Sequence, residues 1–158
     1  NLLGTNSASF DADSQETPWY SYGAMYNWYT ATAGTGTYAQ TSGDATGSIC
    51  PSGWNLPSGG LNGQYSGLDR AMGGTGGTQQ SVEASALWRL YAPNFIYSGG
   101  WWDSVAGYRG SYGAYWSRTV HQSGSAESLY FGAESVYPGN FPSGKLLGFT
   151  VRCLSLGS

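Results

Sequence analysis

The chain has 158 residues, of which only 9% are charged, and its formal net charge is −3. Charged residues make up roughly 25% of an average soluble domain, so this chain is unusually poor in charge. Intrinsic disorder requires low hydrophobicity with high net charge, whereas this chain has seven Trp, thirteen Tyr and a small net charge, which indicates that it folds. The six Lys and Arg residues form no basic stripe for phosphate contacts, which argues against nucleic acid as a partner.

The length suits one domain over residues 1–158. No run approaches the roughly 20 apolar residues of a membrane span, so we expect no direct membrane insertion. Residues 1–4 lack the basic start and apolar core of a signal peptide, as expected of a mature or trimmed chain. Residues 1–18 are polar and aperiodic, and we expect them to form an irregular lead-in draped on the domain.

Three segments of the first half predict helices. The first, 24–33, has Met25, Trp28 and Tyr29 at helical spacing and is followed by a stop signal at Gly34. The second, 63–72, ends in a glycine-rich stretch, and the third, 82–91, carries Leu87, Leu90 and Tyr91 and ends before Pro93. The composition predicts a loop at 34–48 and a short extended segment at 53–57.

After Pro93 the periodicity becomes typical of strands. Aromatic and β-branched runs predict strands at 94–97, 114–121, 128–131 and 149–153. In the last of these, Phe149, Val151 and Cys153 alternate with polar residues, so Cys153 is expected to point inward. Helices followed by strands indicate an α+β fold, in which two to three helices pack on a small antiparallel sheet with long loops.

The chain contains two cysteines, Cys50 and Cys153. A bond between them would close a loop of about 100 residues, worth roughly 4.7 kcal/mol in the chain-entropy model. The alternative is two unpaired buried thiols, because free cysteine packs as a small hydrophobe. We favour the disulfide, and therefore an oxidising location that is extracellular or at the cell surface.

Several motifs, in this order and spacing, resemble a known family. They are Tyr-Asn-Trp-Tyr at 26–29, Ile-Cys-Pro-x-Gly-Trp-x-Leu-Pro at 49–57, Tyr-Trp-Ser at 115–117, Leu-Tyr-Phe at 129–131 and Gly-Phe-x-Val-Arg-Cys at 148–153. Over about residues 20–155 the chain is similar to the Fibrobacter succinogenes major paralogous domain. That family is similar to the C-type lectin fold, which also relates it to formylglycine-generating enzymes and to variable proteins of diversity-generating retroelements. The resemblance implies a C-type lectin-like fold and a Cys50–Cys153 disulfide.

The chain also departs from the family pattern. Members usually begin with a strand carrying Trp-Met just before the Asn-Leu that 1–2 resemble, so we expect this first strand to be missing. Arg118 stands where a small Ser is usual, and His121 stands where Tyr is usual. Such changes on one strand indicate a ligand-facing surface that varies between paralogues.

The sequence contains little evidence for a metal site or for a catalytic site. Sugar-binding C-type lectins use a Glu-Pro-Asn or Gln-Pro-Asp loop and a Trp-Asn-Asp strand to hold calcium, and neither motif is present. Asp11, Asp13 and Glu16 form one acidic cluster, but hard cations need about six to eight oxygen ligands, so a solvated turn is favoured. His121 has no thiol to activate if both cysteines are bridged and no acid close to it in sequence. We expect no cofactor and no enzymatic activity.

Aromatic residues give a stronger functional signal. Trp, Tyr and Arg interleave with Gly and Ser at 101–103 and 107–115, a composition typical of binding loops. We interpret Trp28, Trp54 and Trp116 as core. The candidate ligand-binding residues are Trp102, Asp103, Tyr108, Arg109, Tyr112, Arg118 and His121.

These features predict a non-catalytic extracytoplasmic domain that recognises a protein or a surface polymer through an aromatic and arginine face at 99–145. One alternative is a structural subunit of a surface layer or filament, in which the same rings are buried against a neighbouring copy. Another is a metal-independent lectin, because a sugar can stack on Tyr or Trp without a metal ion.

Overall fold

A computed structural model describes residues 23–80, 86–89, 94–102 and 104–155, so the predicted lead-in at 1–18 lies outside the described residues. The helices are α1 (Trp28–Ala31) and α2 (Gln64–Ala71), with a further helical turn at 86–89. The strands are β1 (Trp54–Asn55), β2 (Gly100–Trp102), β3 (Val105–Gly107), β4 (Tyr112–Gln122), β5 (Ser125–Gly132), β6 (Val136–Gly144) and β7 (Leu154–Ser155).

The described strands form three antiparallel sheets: β1–β7, β2–β3 and the central β4–β5–β6. Side chains alternate between the two faces of the central sheet. Ala114 and Trp116 pack with Trp28 of α1 on one face, whereas Tyr115 and Leu129 pack with residues of α2 on the other. The predicted α+β class is confirmed, with the two helices on opposite faces of the central sheet.

The predicted second helix is confirmed, and the first is shorter than predicted. α1 begins only at Trp28, because the Asn27 side chain accepts a hydrogen bond from the Thr30 N–H at 2.9 Å and Tyr26 pairs with Phe149 instead. Gly34, with φ of +76°, follows the helix as predicted. Within the third predicted helix, the described residues 86–89 are helical. Their fully buried side chain is Trp88, which was not among the residues named for that helix, Leu87, Leu90 and Tyr91.

The predicted strands at 114–121 and 128–131 lie within β4 and β5. The sequence analysis missed β2, β3 and β6. The last of these carries Pro138 and Pro142, which normally argue against a strand. Both prolines are tolerated because β6 is the last strand of the central sheet and pairs along one side with β5.

The predicted strand at 94–97 is wrong, since the described residues 94–98 form no ladder. The Tyr115 hydroxyl donates to the Ile96 carbonyl at 3.0 Å and lies 3.2 Å from the Ile96 nitrogen, so a side chain replaces a neighbouring strand. At 149–153 only Phe149 and Thr150 form isolated bridges, and both are buried. The expected alternation is therefore absent there, and the ladder forms at β7 instead.

Cys50 and Cys153 form a disulfide across 103 residues of sequence, as favoured above. It joins the chain just before β1 to the chain just before β7, so it fastens the end of the described chain to its first half. Trp54 lies on β1 and is 46% exposed, so its assignment to the core is wrong. β1 has two residues and lies at the surface, whereas Trp28 and Trp116 are fully buried as predicted.

Lys145 is buried and holds the predicted loop at 34–48, which carries one isolated bridge at Asp44. Its Nζ donates to the carbonyls of Thr37 at 2.8 Å, Gln40 at 3.0 Å and Tyr38 at 3.3 Å, and it lies 4.9 Å from the centre of the Trp28 ring. Three carbonyl acceptors and an aromatic face compensate for the loss of water around the ammonium group.

Large rings lie directly on glycine backbone in several places. A Cβ on Gly36 would lie 2.1 Å from the Trp28 ring, and one on Gly113 would lie 2.3 Å from the Phe131 ring. Because even a methyl group would overlap these rings, the glycines are required by close packing.

Gly36→Ala should destabilise the protein by about 1–3 kcal/mol, because the methyl group forces Trp28 out of its packed position. Gly67→Ala is the matched control, since its Cβ would meet nothing within 4 Å inside α2. Helix propensity predicts that this control stabilises by up to about 1 kcal/mol. Urea unfolding measures both variants, and equal effects would contradict the packing argument.

Lys145→Met should destabilise by about 2–4 kcal/mol, because the carbonyls of Thr37, Tyr38 and Gln40 lose their shared donor. Limited chymotrypsin digestion should then cut faster after Tyr38, which is already exposed in that loop. Leu146→Ala is the control, because Leu146 is 71% exposed and its loss should change neither quantity. Unchanged digestion in Lys145→Met would show that this lysine does not hold the loop.

Candidate functional site

Six rings, none fully buried, contact one another in a continuous row, which we call the aromatic surface. They come from β2, the β3–β4 turn, β4, β5 and β6. The rings are Trp102, Tyr108, Tyr112, Tyr130, Tyr137 and Phe141.

The centre of the aromatic surface is a stack across the three strands of the central sheet. The rings of Tyr112 and Tyr130 are 5.3 Å apart at 22°, and those of Tyr130 and Phe141 are 4.6 Å apart at 18°. These side chains share the face of the sheet that also carries Trp116. Because stacked rings cover one another's faces, the centre of the row offers mainly ring edges to a ligand.

Rings at steeper angles flank the stack. Tyr108 lies edge-on to Tyr112 at 5.5 Å and to Trp102 at 5.4 Å, and Tyr137 packs on Phe141 at 5.0 Å. Tyr108 has φ of +63° and is 61% exposed. A left-handed conformation is uncommon for a bulky residue and costs about 1–3 kcal/mol, so the turn holds this ring outward against a local penalty.

The aromatic surface is continuous with the core on the α1 side of the sheet. Trp102 packs against the fully buried Phe149, with ring centres 5.6 Å apart. The Tyr112 ring lies over Gly132, where a Cβ would come within 2.5 Å of it. These contacts fix the rings to a rigid sheet, which lowers the entropy lost when a ligand binds.

The phenol groups of the aromatic surface influence one another electrostatically. Burial raises the pKa of Tyr130 to about 12, and the neighbouring phenols of Tyr112, Tyr108 and Tyr137 contribute to the increase. Tyr130 is therefore neutral at physiological pH. Arg109, which follows Tyr108 in the chain, is partly buried.

Two further candidate residues lie toward the other end of β4. The Arg118 Nε donates to Asp44 Oδ2 at 3.0 Å, and the neighbouring Thr119 hydroxyl donates to the other oxygen of Asp44. With its amide in the orientation that satisfies its neighbours, Asn55 also accepts from Arg118 Nη1 at 3.3 Å. The guanidinium of Arg118 is thus held by two side chains brought from the first half of the chain.

His121 has an acidic neighbour that its local sequence did not indicate. Its Nδ1 lies 2.9 Å from Glu127 Oε1 across the β4–β5 hairpin. The second oxygen, Glu127 Oε2, is buried and has no hydrogen-bond partner within the described part of the chain. Gly59 links this pair to the surroundings of Arg118. A Cβ on Gly59 would lie 2.6 Å from the Glu127 Cβ, and the Gly59 N–H donates to the Thr119 hydroxyl at 2.9 Å. The His121–Glu127 pair therefore lies beside the residues that hold Arg118.

The predicted ligand-binding residues that the structure describes therefore lie in two separate regions. Trp102, Tyr108 and Tyr112 come together, with Arg109 beside them in the chain. Arg118 lies six residues beyond Tyr112 along β4, roughly 20 Å away for an extended strand. Asp103 lies outside the described residues, as do the acids of the cluster at 11–16.

Three members of the aromatic surface were missed in the sequence. Tyr130 lay in a predicted strand, but nothing in the sequence showed which face it occupies. Tyr137 and Phe141 lie in a segment whose prolines and glycines hid β6. Only the register of β5 with β6, which places Tyr130 opposite Tyr137 and Ser128 opposite Phe141, brings them to the same face.

Within the described ranges, no group of three or more His, Cys, Asp or Glu residues could hold a metal ion. The described helices are also too short to cross a membrane. No protein-family model, curated protein or solved structure matches the chain.

Stability should fall between about pH 10 and pH 12, partly because of Tyr130. Its pKa is raised to about 12 in the folded state, whereas an unfolded tyrosine ionises near pH 10, so the unfolded chain loses its proton first. In Tyr130→Phe, the free energy of unfolding should fall less steeply between pH 10 and pH 12, and its dependence on pH below pH 10 should be unchanged. Urea unfolding across this range measures it, and identical slopes in both proteins would contradict the burial of this phenol.

Proposed function

We propose that this chain is a non-catalytic binding domain of C-type lectin-like fold that works outside the cytoplasm. Its ligand is a protein or a surface polymer, and the aromatic surface is the contact region. The observation that carries the proposal is the continuous row of six rings, none fully buried, on a rigid sheet. Rigid Tyr and Trp side chains provide large contact areas with little loss of conformational entropy.

The disulfide supports the proposed location, because such bonds persist in oxidising compartments. The C-type lectin-like fold is supported by the motif resemblance, by helices on both faces of the central antiparallel sheet, and by a disulfide that joins the segments preceding β1 and β7. We propose it as the finer description of the α+β architecture.

Arg118 and His121 form a second region of the proposed face. Because Arg118 lies roughly 20 Å and His121 roughly 30 Å along β4 from Tyr112, a compact ligand on the aromatic surface would not reach them. A linear polymer could contact both regions. Arg118 is suited to such a contact, since Asp44 and Asn55 already hold its guanidinium in place.

Tyr108→Ala should abolish or strongly weaken ligand binding while leaving the melting temperature nearly unchanged, because its ring is 61% exposed. Tyr38→Ala is a closely matched control, since Tyr38 has the same exposure and lies on the loop held by Lys145. The assay is binding to an array of glycans and bacterial surface polysaccharides, with calcium and again with EDTA. Equal loss in both variants, or loss of fold in Tyr108→Ala, would contradict the proposal.

The control conditions separate the alternatives. Binding that disappears in EDTA would contradict metal-free recognition. If the array shows no binding, sedimentation velocity over a concentration series tests whether the rings bury against a second copy. Self-association that Tyr108→Ala abolishes would favour a structural subunit of a surface layer or filament instead.

A further inference from the structure

Tyr112 and Tyr130 form a stacked tyrosine pair on the central sheet. Their ring centres are 5.3 Å apart and their planes are 22° apart, which makes them the stacked tyrosine pair among the described residues. The contacts of Tyr108 with Tyr112 and of Tyr130 with Tyr137 are instead at 84° and 59°. The two phenol rings therefore lie next to each other in a near-parallel arrangement.

The register of the central sheet explains why the two rings meet. Tyr112 lies opposite Gly132, and Tyr130 lies opposite Ala114. The two tyrosines are therefore diagonal neighbours on one face, a separation that aromatic side chains can span. Both opposing residues are small, so the rings can lean toward each other across the strands, and Tyr112 lies directly over Gly132.

An oxidant in solution can reach this pair. Both rings are partly exposed, and Tyr108, which is 61% exposed, contacts Tyr112 at 5.5 Å. Tyr108 can be oxidised first and then recover an electron and a proton from Tyr112, because rings in van der Waals contact exchange electrons readily.

We propose that Tyr112 and Tyr130 are a site of oxidative modification, where a peroxide-driven one-electron oxidant joins them as dityrosine. Each phenol loses one electron and one proton to give a phenoxyl radical. A carbon–carbon bond forms between the ring positions next to the hydroxyls, and the two ring hydrogens return to the oxygens as the rings regain aromaticity. One hydrogen peroxide is reduced to two water molecules, and the protein loses two hydrogens in total.

The product would be a covalent link between β4 and β5 inside one chain. It would add to the Cys50–Cys153 disulfide a second cross-link, one that thiols cannot reduce. The cross-link depends on the packing of the sheet and on access of an oxidant, and not on the identity of a ligand.

The test is treatment of the purified chain with hydrogen peroxide and a haem peroxidase. We expect dityrosine fluorescence, a monomer whose mass is lower by two hydrogens, and, after reduction and denaturation, a tryptic product that joins two peptides. Trypsin cleaves after Arg109, Arg118 and Lys145, so the linked peptides are 110–118 and 119–145, and fragmentation should place the link on Tyr112 and Tyr130.

Three variants make the result specific. Tyr112→Phe and Tyr130→Phe should each abolish this link while keeping the ring stack, which unfolding curves would verify. Tyr38→Phe should leave the link unchanged, because Tyr38 lies on a separate loop. Absence of dityrosine in the monomer, a link confined to dimers, or a link that persists in Tyr112→Phe would overturn the proposal, and none of these outcomes depends on ligand binding.

Discussion

The packing of large rings against glycine backbone is the constraint on which this structure depends. The chain combines 26 glycines with 25 aromatic side chains, counted as seven Trp, thirteen Tyr and five Phe. Trp28 over Gly36, Phe131 over Gly113 and Tyr112 over Gly132 all use the space that a Cβ would occupy. Most of the largest fully buried side chains in the described part of the chain are aromatic, and in these three places a ring packs at close range on backbone that has no side chain. The glycines that make the sequence look loop-rich are in these places part of the core.

The same packing explains how one sheet provides both a core and an exposed row of rings. On the face shared with α1, Trp116 lies 4.6 Å from Phe149 and is fully buried. Farther along that face, Tyr112, Tyr130 and Phe141 continue the pattern, but each of these rings is only partly buried. The aromatic surface is therefore an extension of the core, and its rings are held by the strands that fold the domain. Rigidity of this kind suits the proposed binding role, since little order has to be imposed when a ligand arrives.

Two buried charged side chains connect different segments of the chain. Lys145 collects three carbonyls of the loop that contains Tyr38, and the buried Asp69 accepts from the Gly76 N–H, the Gln80 amide and the Trp88 indole. Each of these two side chains forms several hydrogen bonds outside the strand pairings, because buried polar atoms need hydrogen-bond partners. Long irregular segments are stable here because charged side chains replace the hydrogen bonds that strands would otherwise provide.

The sequence by itself determined the α+β class, the second helix, the strands at 114–121 and 128–131, and the preference for a Cys50–Cys153 bond, because these depend on local periodicity and on residue type. It also identified Trp102, Tyr108 and Tyr112 as candidate contacts from the composition of their loops. Tertiary structure decided the rest. Only the register of β5 with β6 brings Tyr137 and Phe141 beside Tyr130, and only the pairing of Asp44 and Glu127 with β4 shows what holds Arg118 and His121. The Asp44–Arg118 contact joins residues 74 positions apart, and the other contacts depend on the register of the β4–β5 and β5–β6 hairpins. Local preferences specify neither which distant segments meet nor which register a hairpin adopts.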